Sequence, residues 1–254
     1  VWFHSSFDSV HSAKVTSVSC ASDSSCALTG SWDNNVVLWD LSTGAQTAVL
    51  RGHTDVVTSV AVIGNGVHAL SASADRTLRL WDLRAMQARA ILEGHTDTVT
   101  CVATSVDGSW AVSGSWDKTV RVWDLKQNRC TKKLTGHANS ITTAALSPDA
   151  AWCVSGAADH VVVLWDLRRG CMRRVLKGNT ASITCVRLTY DLRHVLSTAA
   201  DGSVRMWDVW EVTNPENAHV TDQKVCDTVV TLSGGGGDGV AVPAHAGMAH
   251  SIVI

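Results

Sequence analysis

Residues 31–40 read SWDNNVVLWD and residues 115–124 read SWDKTVRVWD. Each stretch contains Trp-Asp twice: Trp32-Asp33 and Trp39-Asp40 in the first, Trp116-Asp117 and Trp123-Asp124 in the second. Only the later pair of each stretch belongs to a series, because Trp-Asp returns at 39, 81, 123, 165 and 207 in steps of 42 residues. Three further series keep that step. Asp33, Asp75, Asp117, Asp159 and Asp201 form one; His11, His53, His95 and His137, followed by Asn179, form another; Thr29, Ser71, Ser113, Ser155 and Ser197 form the last. Four registers locked to one period mark a supersecondary unit that stacks on its own copies.

The second unit shows what each copy is made of. VVTSVAV reads as a strand, IGNG as a turn, HALSAS as a strand, ADRT as a tight turn, LRLWD as a strand, and QARAIL as a fourth strand after the next turn. No helical period competes with this pattern. Runs such as VVLWD are apolar in succession, which suits strands covered on both faces by neighbouring sheets. The carboxylates of Asp40, Asp82, Asp124, Asp166 and Asp208 open turns such as LSTG and LRRG, where an Asp accepts main-chain N–H bonds.

Four strands per unit, the 42-residue step, and Gly-His paired with Trp-Asp at His53, His95 and His137 together resemble the WD-repeat family of β-propellers over residues 11–208. The first unit departs from the pattern with Val10-His11 and the fifth with Gly178-Asn179. The resemblance implies an all-β fold of four-stranded antiparallel blades, with five repeats at 11–52, 53–94, 95–136, 137–178 and 179–210. Residues 211–254 read as a degenerate or truncated sixth repeat, in which KVCDTVVTLS, GVAVPA and SIVI resemble its first three strands. Two closures stay open: residues 1–10 complete a six-bladed ring, or the chain is a segment of a longer propeller.

The resemblance also implies one hydrogen-bonded chain per blade, running from the Trp indole through the Ser or Thr hydroxyl and the His ring to the turn Asp. The sets are His11/Thr29/Asp33/Trp39, His53/Ser71/Asp75/Trp81, His95/Ser113/Asp117/Trp123 and His137/Ser155/Asp159/Trp165, with an altered fifth, Asn179/Ser197/Asp201/Trp207. Ser, His and Asp are also the members of a hydrolytic triad. An active site is needed once, whereas this constellation occurs four times complete and once altered, so the reading is structural and assigns no catalytic residue.

One position escapes the repeat. The residue before the turn Asp is Trp32, Ala74, Trp116, Ala158 or Ala200, and in the family it stands on the usual partner-binding face. The same face in the family takes the residues three and five after the His register: Lys14 and Thr16, Val56 and Thr58, Thr98 and Thr100, Ser140 and Thr142, Ser182 and Thr184. These fifteen positions are the expected partner-binding set. Only Lys14 among them is cationic, which disfavours phosphopeptide reading, where several arginines grip the phosphate.

Composition bounds the remaining possibilities. A formal charge of −2 supplies no global attraction to nucleic acid or anionic membrane, and no apolar run is long enough for a spanning helix. The basic residues Arg79, Arg121, Arg205, Lys132, Lys133, Arg173 and Arg174 read as a solvated rim, with nucleic-acid or anionic-ligand binding there as the alternative function. Trp110 and Trp152 read as core or blade-interface packing. The eight cysteines form no Cys-x-x-Cys pair and several sit in strand-like runs, which points to free thiols and a cytoplasmic or nuclear setting. SGGGGDG at 233–239 lacks the Lys-Ser/Thr of a phosphate loop, and the histidines show no ligand spacing, so no cofactor and no metal is expected. The function read from the sequence is a non-catalytic scaffold that presents a face to a protein or peptide, with no small-molecule substrate; an enzyme on a propeller frame is the less favoured reading.

Overall fold

Every turn signal in the repeat falls between two strands of one sheet. The computed structural model describes residues 10–64 and 66–214, and the backbone of 230–231. The first sheet holds β1 (Val15–Cys20), β2 (Cys26–Ser31), β3 (Val36–Asp40) and β4 (Gln46–Leu50); the second holds β5 (Val57–Ile63), β6 (His68–Ser73), β7 (Leu78–Asp82) and β8 (Gln87–Leu92). The third holds β9 (Val99–Thr104), β10 (Trp110–Ser115), β11 (Thr119–Asp124) and β12 (Arg129–Thr135), and the fourth β13 (Ile141–Leu146), β14 (Trp152–Ala157), β15 (Val162–Asp166) and β16 (Cys171–Leu176). The fifth begins with β17 (Ile183–Leu188), β18 (His194–Ala199) and β19 (Val204–Asp208); α1 (Trp210–Thr213) follows, and β20 (Val230–Thr231) closes the sheet. All neighbouring strands are antiparallel and consecutive in sequence, a meander in each sheet.

β20 lies beyond the fifth repeat as bounded at 179–210. Val230 and Thr231 lie within the KVCDTVVTLS run that was expected to start a sixth unit, but they pair with Met206 and Arg205 of β19 as the outer strand of the fifth sheet. The rest of 215–254 lies outside the described residues, as do residues 1–9 of the expected closing strand. Val10 packs against the cluster of Ala27, Val37 and Trp39.

The sheets meet through their first strands, β1 beside β5, β5 beside β9, β9 beside β13 and β13 beside β17. Apolar clusters fill each junction, such as the one that joins Val112, Val120 and Ile141 to Cys153, Val163 and Trp165. The third and fourth sheets come close at Gly114, where a Cβ would stand 2.4 Å from Cγ2 of Ile141; the corresponding distance from Gly156 to Cγ2 of Ile183 is 2.4 Å. A side chain at either glycine would push the next sheet away. Val57, Val99, Ile141 and Ile183 are fully buried in this way, while Val15, their counterpart in the first sheet, is 45% exposed.

Candidate functional site

In each of the first four sheets the repeated polar residues converge on a hydroxyl. In the third, the Trp123 indole donates to Oγ of Ser113 at 2.8 Å, Nε2 of His95 lies 2.7 Å from that Oγ, and Nδ1 of His95 lies 2.7 Å from Oδ2 of Asp117. Asp117 also accepts the backbone N–H of Thr96 on Oδ2, and both the N–H and the hydroxyl of Thr119 on Oδ1. The second sheet repeats the chain through Trp81, Ser71, His53 and Asp75, and the fourth through Trp165, Ser155, His137 and Asp159. In the first, Thr29 replaces the serine, with Trp39 at 2.9 Å and His11 at 2.8 Å from its Oγ1, and Nδ1 of His11 2.9 Å from Asp33.

The chemistry of the partners assigns the protons. A carboxylate only accepts, so Nδ1 carries the imidazole proton, Nε2 accepts from the serine, and the serine accepts from the indole. Burial raises the pKa of Asp117, but hydrogen bonds from Thr119 and His95 outweigh it and bring the group down to about 2. Burial also lowers the pKa of His95 despite its carboxylate neighbour. The pair therefore stands as a carboxylate and a neutral imidazole. Ser71, Ser113 and Ser155 are fully buried beneath their indoles. Their Oγ atoms have no path to a substrate, which distinguishes this chain from a hydrolytic triad.

The fifth set is rearranged. Trp207 still donates to Ser197 at 2.9 Å, but Oδ1 of Asn179 accepts from Nη1 of Arg205 at 3.0 Å, and its buried Nδ2 has no partner. Asp201 accepts instead from the hydroxyl of Thr180 and the N–H of Ser203. Asn179→His supplies a ring at the position that bridges hydroxyl and carboxylate in the other sheets. The midpoint of thermal unfolding should stay unchanged or rise; a fall would show that the Asn179–Arg205 bond contributes more than the missing imidazole.

The turns between second and third strands, and the loops that lead into each first strand, share one end of the sheets. There the residue before the turn Asp joins the residue three after the His register through the main chain. Trp32 N–H donates to Lys14 O, Ala74 to Val56, Trp116 to Thr98, Ala158 to Ser140 and Ala200 to Ser182, at 2.8–2.9 Å. Two indoles stand out on this platform, Trp32 at 56% exposed and Trp116 at 54%. The Lys14 ammonium lies 5.6 Å from the Trp32 ring centre. The neighbouring Asp75 and Asp117 each accept four hydrogen bonds within their own sheet, so the carboxylates of these two turns hold the platform.

A family model described as WD domain, G-beta repeat matches residues 5–40, 44–82, 86–124, 128–166 and 170–208. The chain belongs to the WD-repeat family. Each match from the second to the fifth begins beside or within the outer strand of one sheet and ends on the Trp-Asp of the next, so the covalent repeat stitches neighbouring sheets together. WD-repeat domains are in general protein-interaction scaffolds and bind protein partners. Among curated proteins the chain finds no match.

Within this WD-repeat frame the threonines five residues after the His register turn out differently from the expectation. Thr16, Thr58, Thr100 and Thr142 are the extra residues of a β-bulge near the start of each first strand. A bulge re-aims its side chain. Oγ1 of Thr16 contacts the carbonyls of Gly30 and Val57 at 2.9 and 2.5 Å; Thr58, Thr100 and Thr142 contact Ala72 and Val99, Gly114 and Ile141, and Gly156 and Ile183 in the same way. These hydroxyls clip one sheet to the next. Thr184 bonds the hydroxyl of Thr198 in its own sheet. Spacing alone does not reveal this, because the bulge changes where a side chain points without changing its register number.

Part of the expected solvated rim is also packed away. Arg121 lies across Gly94, where a Cβ would stand 2.8 Å from Nη1, and Arg79 lies across Gly52 in the same manner. The Nε atoms of both arginines are buried without a partner. Nζ of Lys132 donates to the carbonyls of Leu167 and Arg168 in the next sheet. Lys133 is exposed, and Arg173 and Arg174 are partly buried. Trp110 and Trp152 are half-buried against the third–fourth and fourth–fifth junctions. Among the described residues no group of His, Cys, Asp and Glu has the makings of a metal site, and no helix is long and apolar enough to cross a membrane.

Proposed function

We propose that this WD-repeat protein is a non-catalytic scaffold that captures a protein or peptide on the face carrying Trp32 and Trp116. The observation that supports this reading is the exposure of two large aromatic side chains, 56% and 54%, at equivalent positions of the first and third sheets, with Ala74 between them in the sheet order. Burying such an indole removes a large apolar area from water, and aromatic residues dominate binding hot spots for that reason. The position varies from sheet to sheet while the networks beneath it repeat, so specificity resides in Trp32, Ala74, Trp116, Ala158 and Ala200 with Lys14, Val56, Thr98, Ser140 and Ser182 beside them. The partner offers an apolar side chain to each indole. The seven described cysteines are free thiols, in keeping with a cytoplasmic or nuclear setting for this activity.

Affinity capture followed by titration tests the site. Removing both indoles as Trp32→Ala/Trp116→Ala should weaken the principal partner by roughly thirtyfold or more per indole, with the unfolding midpoint nearly unchanged. Unaltered affinity in the double variant would reject this face.

A further inference from the structure

We infer that the opposite end of the sheets carries a second docking site, a cationic groove for an acidic peptide segment of a partner protein. The cleft between the fourth and fifth sheets, about 390 Å³, is lined by Trp152, Leu192 and Val212 and rimmed by Arg168, Arg169 and Arg173. A second cleft of about 300 Å³ between the third and fourth sheets is lined by Trp110 and Lys132 and shares Asp149 and Arg168 with the first. Both lie by the turns that join first to second and third to fourth strands, away from the indole face.

Charge selects the occupant. Residues 126–177 carry nine Lys and Arg against three Asp and no Glu, within a chain whose net charge is −2. Two of the three rim guanidiniums are accessible: the side chains of Arg168 and Arg169 are 79% and 53% exposed. Each forms a long ion pair, Arg168 Nη2 with Asp149 Oδ2 at 3.8 Å and Arg169 Nε with Asp166 Oδ2 at 3.7 Å, longer than a hydrogen bond. The other oxygen of each carboxylate, Oδ1, is taken by its own turn, Asp149 accepting from Ser147 and Ala151, Asp166 from the N–H of Arg169. Because these pairs are long and the guanidiniums exposed, each arginine keeps N–H donors that an incoming carboxylate can take at hydrogen-bond distance.

The mount is rigid as well. The turn 167–170 is held by the bond from Gly170 N–H to Asp166 O at 2.8 Å, and from the neighbouring sheet by Lys132, whose ammonium donates to the carbonyls of Leu167 and Arg168 at 2.6 and 2.8 Å. Side chains carried on a fixed turn need less ordering on binding. A peptide fits better than a polynucleotide. Asp149 and Asp166 line the groove and would repel a continuous phosphate backbone, whereas a peptide brings backbone N–H donors between its carboxylates and can set an apolar side chain on Trp152.

The probe is a fluorescein-labelled twelve-residue peptide of Glu and Asp with one central Leu, titrated by fluorescence anisotropy into the whole protein. Its amide counterpart, with Gln and Asn, and a labelled oligothymidylate are run beside it. The acidic peptide should bind, with affinity falling as salt is raised. Arg168→Glu/Arg169→Glu should weaken it by about tenfold or more, since reversing two contacting charges replaces attraction with repulsion. Trp32→Ala/Trp116→Ala should leave it unchanged, which separates this groove from the indole face. Both altered residues project into solvent, and an unshifted unfolding midpoint verifies the fold of the variant. No binding of the acidic peptide, equal binding by the charge-reversed protein, equal binding of the amide peptide, or tighter binding of the oligothymidylate would each overturn the proposal.

Discussion

Asp117→Ala should lower the stability of the protein by about 3 kcal/mol or more, because it removes the acceptor of four hydrogen bonds and leaves a buried imidazole N–H facing nothing. The His95 side chain is fully buried, so water does not replace the lost partner without opening the sheet. Denaturant unfolding of wild type and variant measures the difference, and equal midpoints would contradict a network that holds the blade together. The pH dependence carries the same signature. Asp117 has a pKa of about 2 in the fold, below the ordinary carboxylate range, so its contribution is present above that range and is lost as pH falls through the folded value. His95 is held neutral in the fold, so the unfolded chain takes up a proton that the native state resists as pH falls below the usual imidazole range. Both effects make acid destabilising, and the part due to Asp117, lost as pH falls below the ordinary carboxylate range, should be missing from the pH profile of Asp117→Ala.

Gly156→Val should cost about 3 kcal/mol, the upper end for overpacking, because its Cβ would stand 2.4 Å from Cγ2 and 2.9 Å from Cβ of the buried Ile183, where flexible atoms do not line the gap. The structure also provides the remedy. At the same register in the second sheet stands Ala72, and the residue beyond it is Val99 rather than isoleucine, both fully buried in one cluster. Gly156→Ala/Ile183→Val reproduces that arrangement, so the double variant should be more stable than Gly156→Ala alone. Additive losses would mean that the two residues do not share the junction.

The sheets were legible in the sequence because each is specified redundantly. Period-locked Trp-Asp, turn chemistry and unbroken apolar strands all point to the same strand order, and tertiary packing has nothing to override. The polar chains were legible for a related reason: four residue types recurring at a fixed step have to meet in every unit if they meet in one. What stayed hidden is geometry inside a repeat position. Thr16 and its counterparts share their register with a family's binding positions, yet a one-residue bulge turns their hydroxyls to the next sheet. Arg79 and Arg121 look like rim charges until the glycines of Gly52-His53 and Gly94-His95 open the space into which they fold. In the fifth sheet α1 and the residues after it separate β20 from β19 in the chain, so the usual short spacing between third and fourth strands gives no guide there.

Trp32 and Trp39 lie in one sheet, seven residues apart, and the account assigns them opposite roles. Trp39 is 6% exposed and donates to Thr29, whereas Trp32 stands in solvent over the turn. Measuring thermal unfolding and partner affinity side by side on Trp32→Ala and Trp39→Ala is the most direct test. Trp39→Ala should lower the unfolding midpoint, and Trp32→Ala should leave it in place while weakening the partner by roughly thirtyfold. A Trp32→Ala protein that unfolds early, or that binds its partner as tightly as wild type, would contradict the division between a repeated scaffold and a variable indole face.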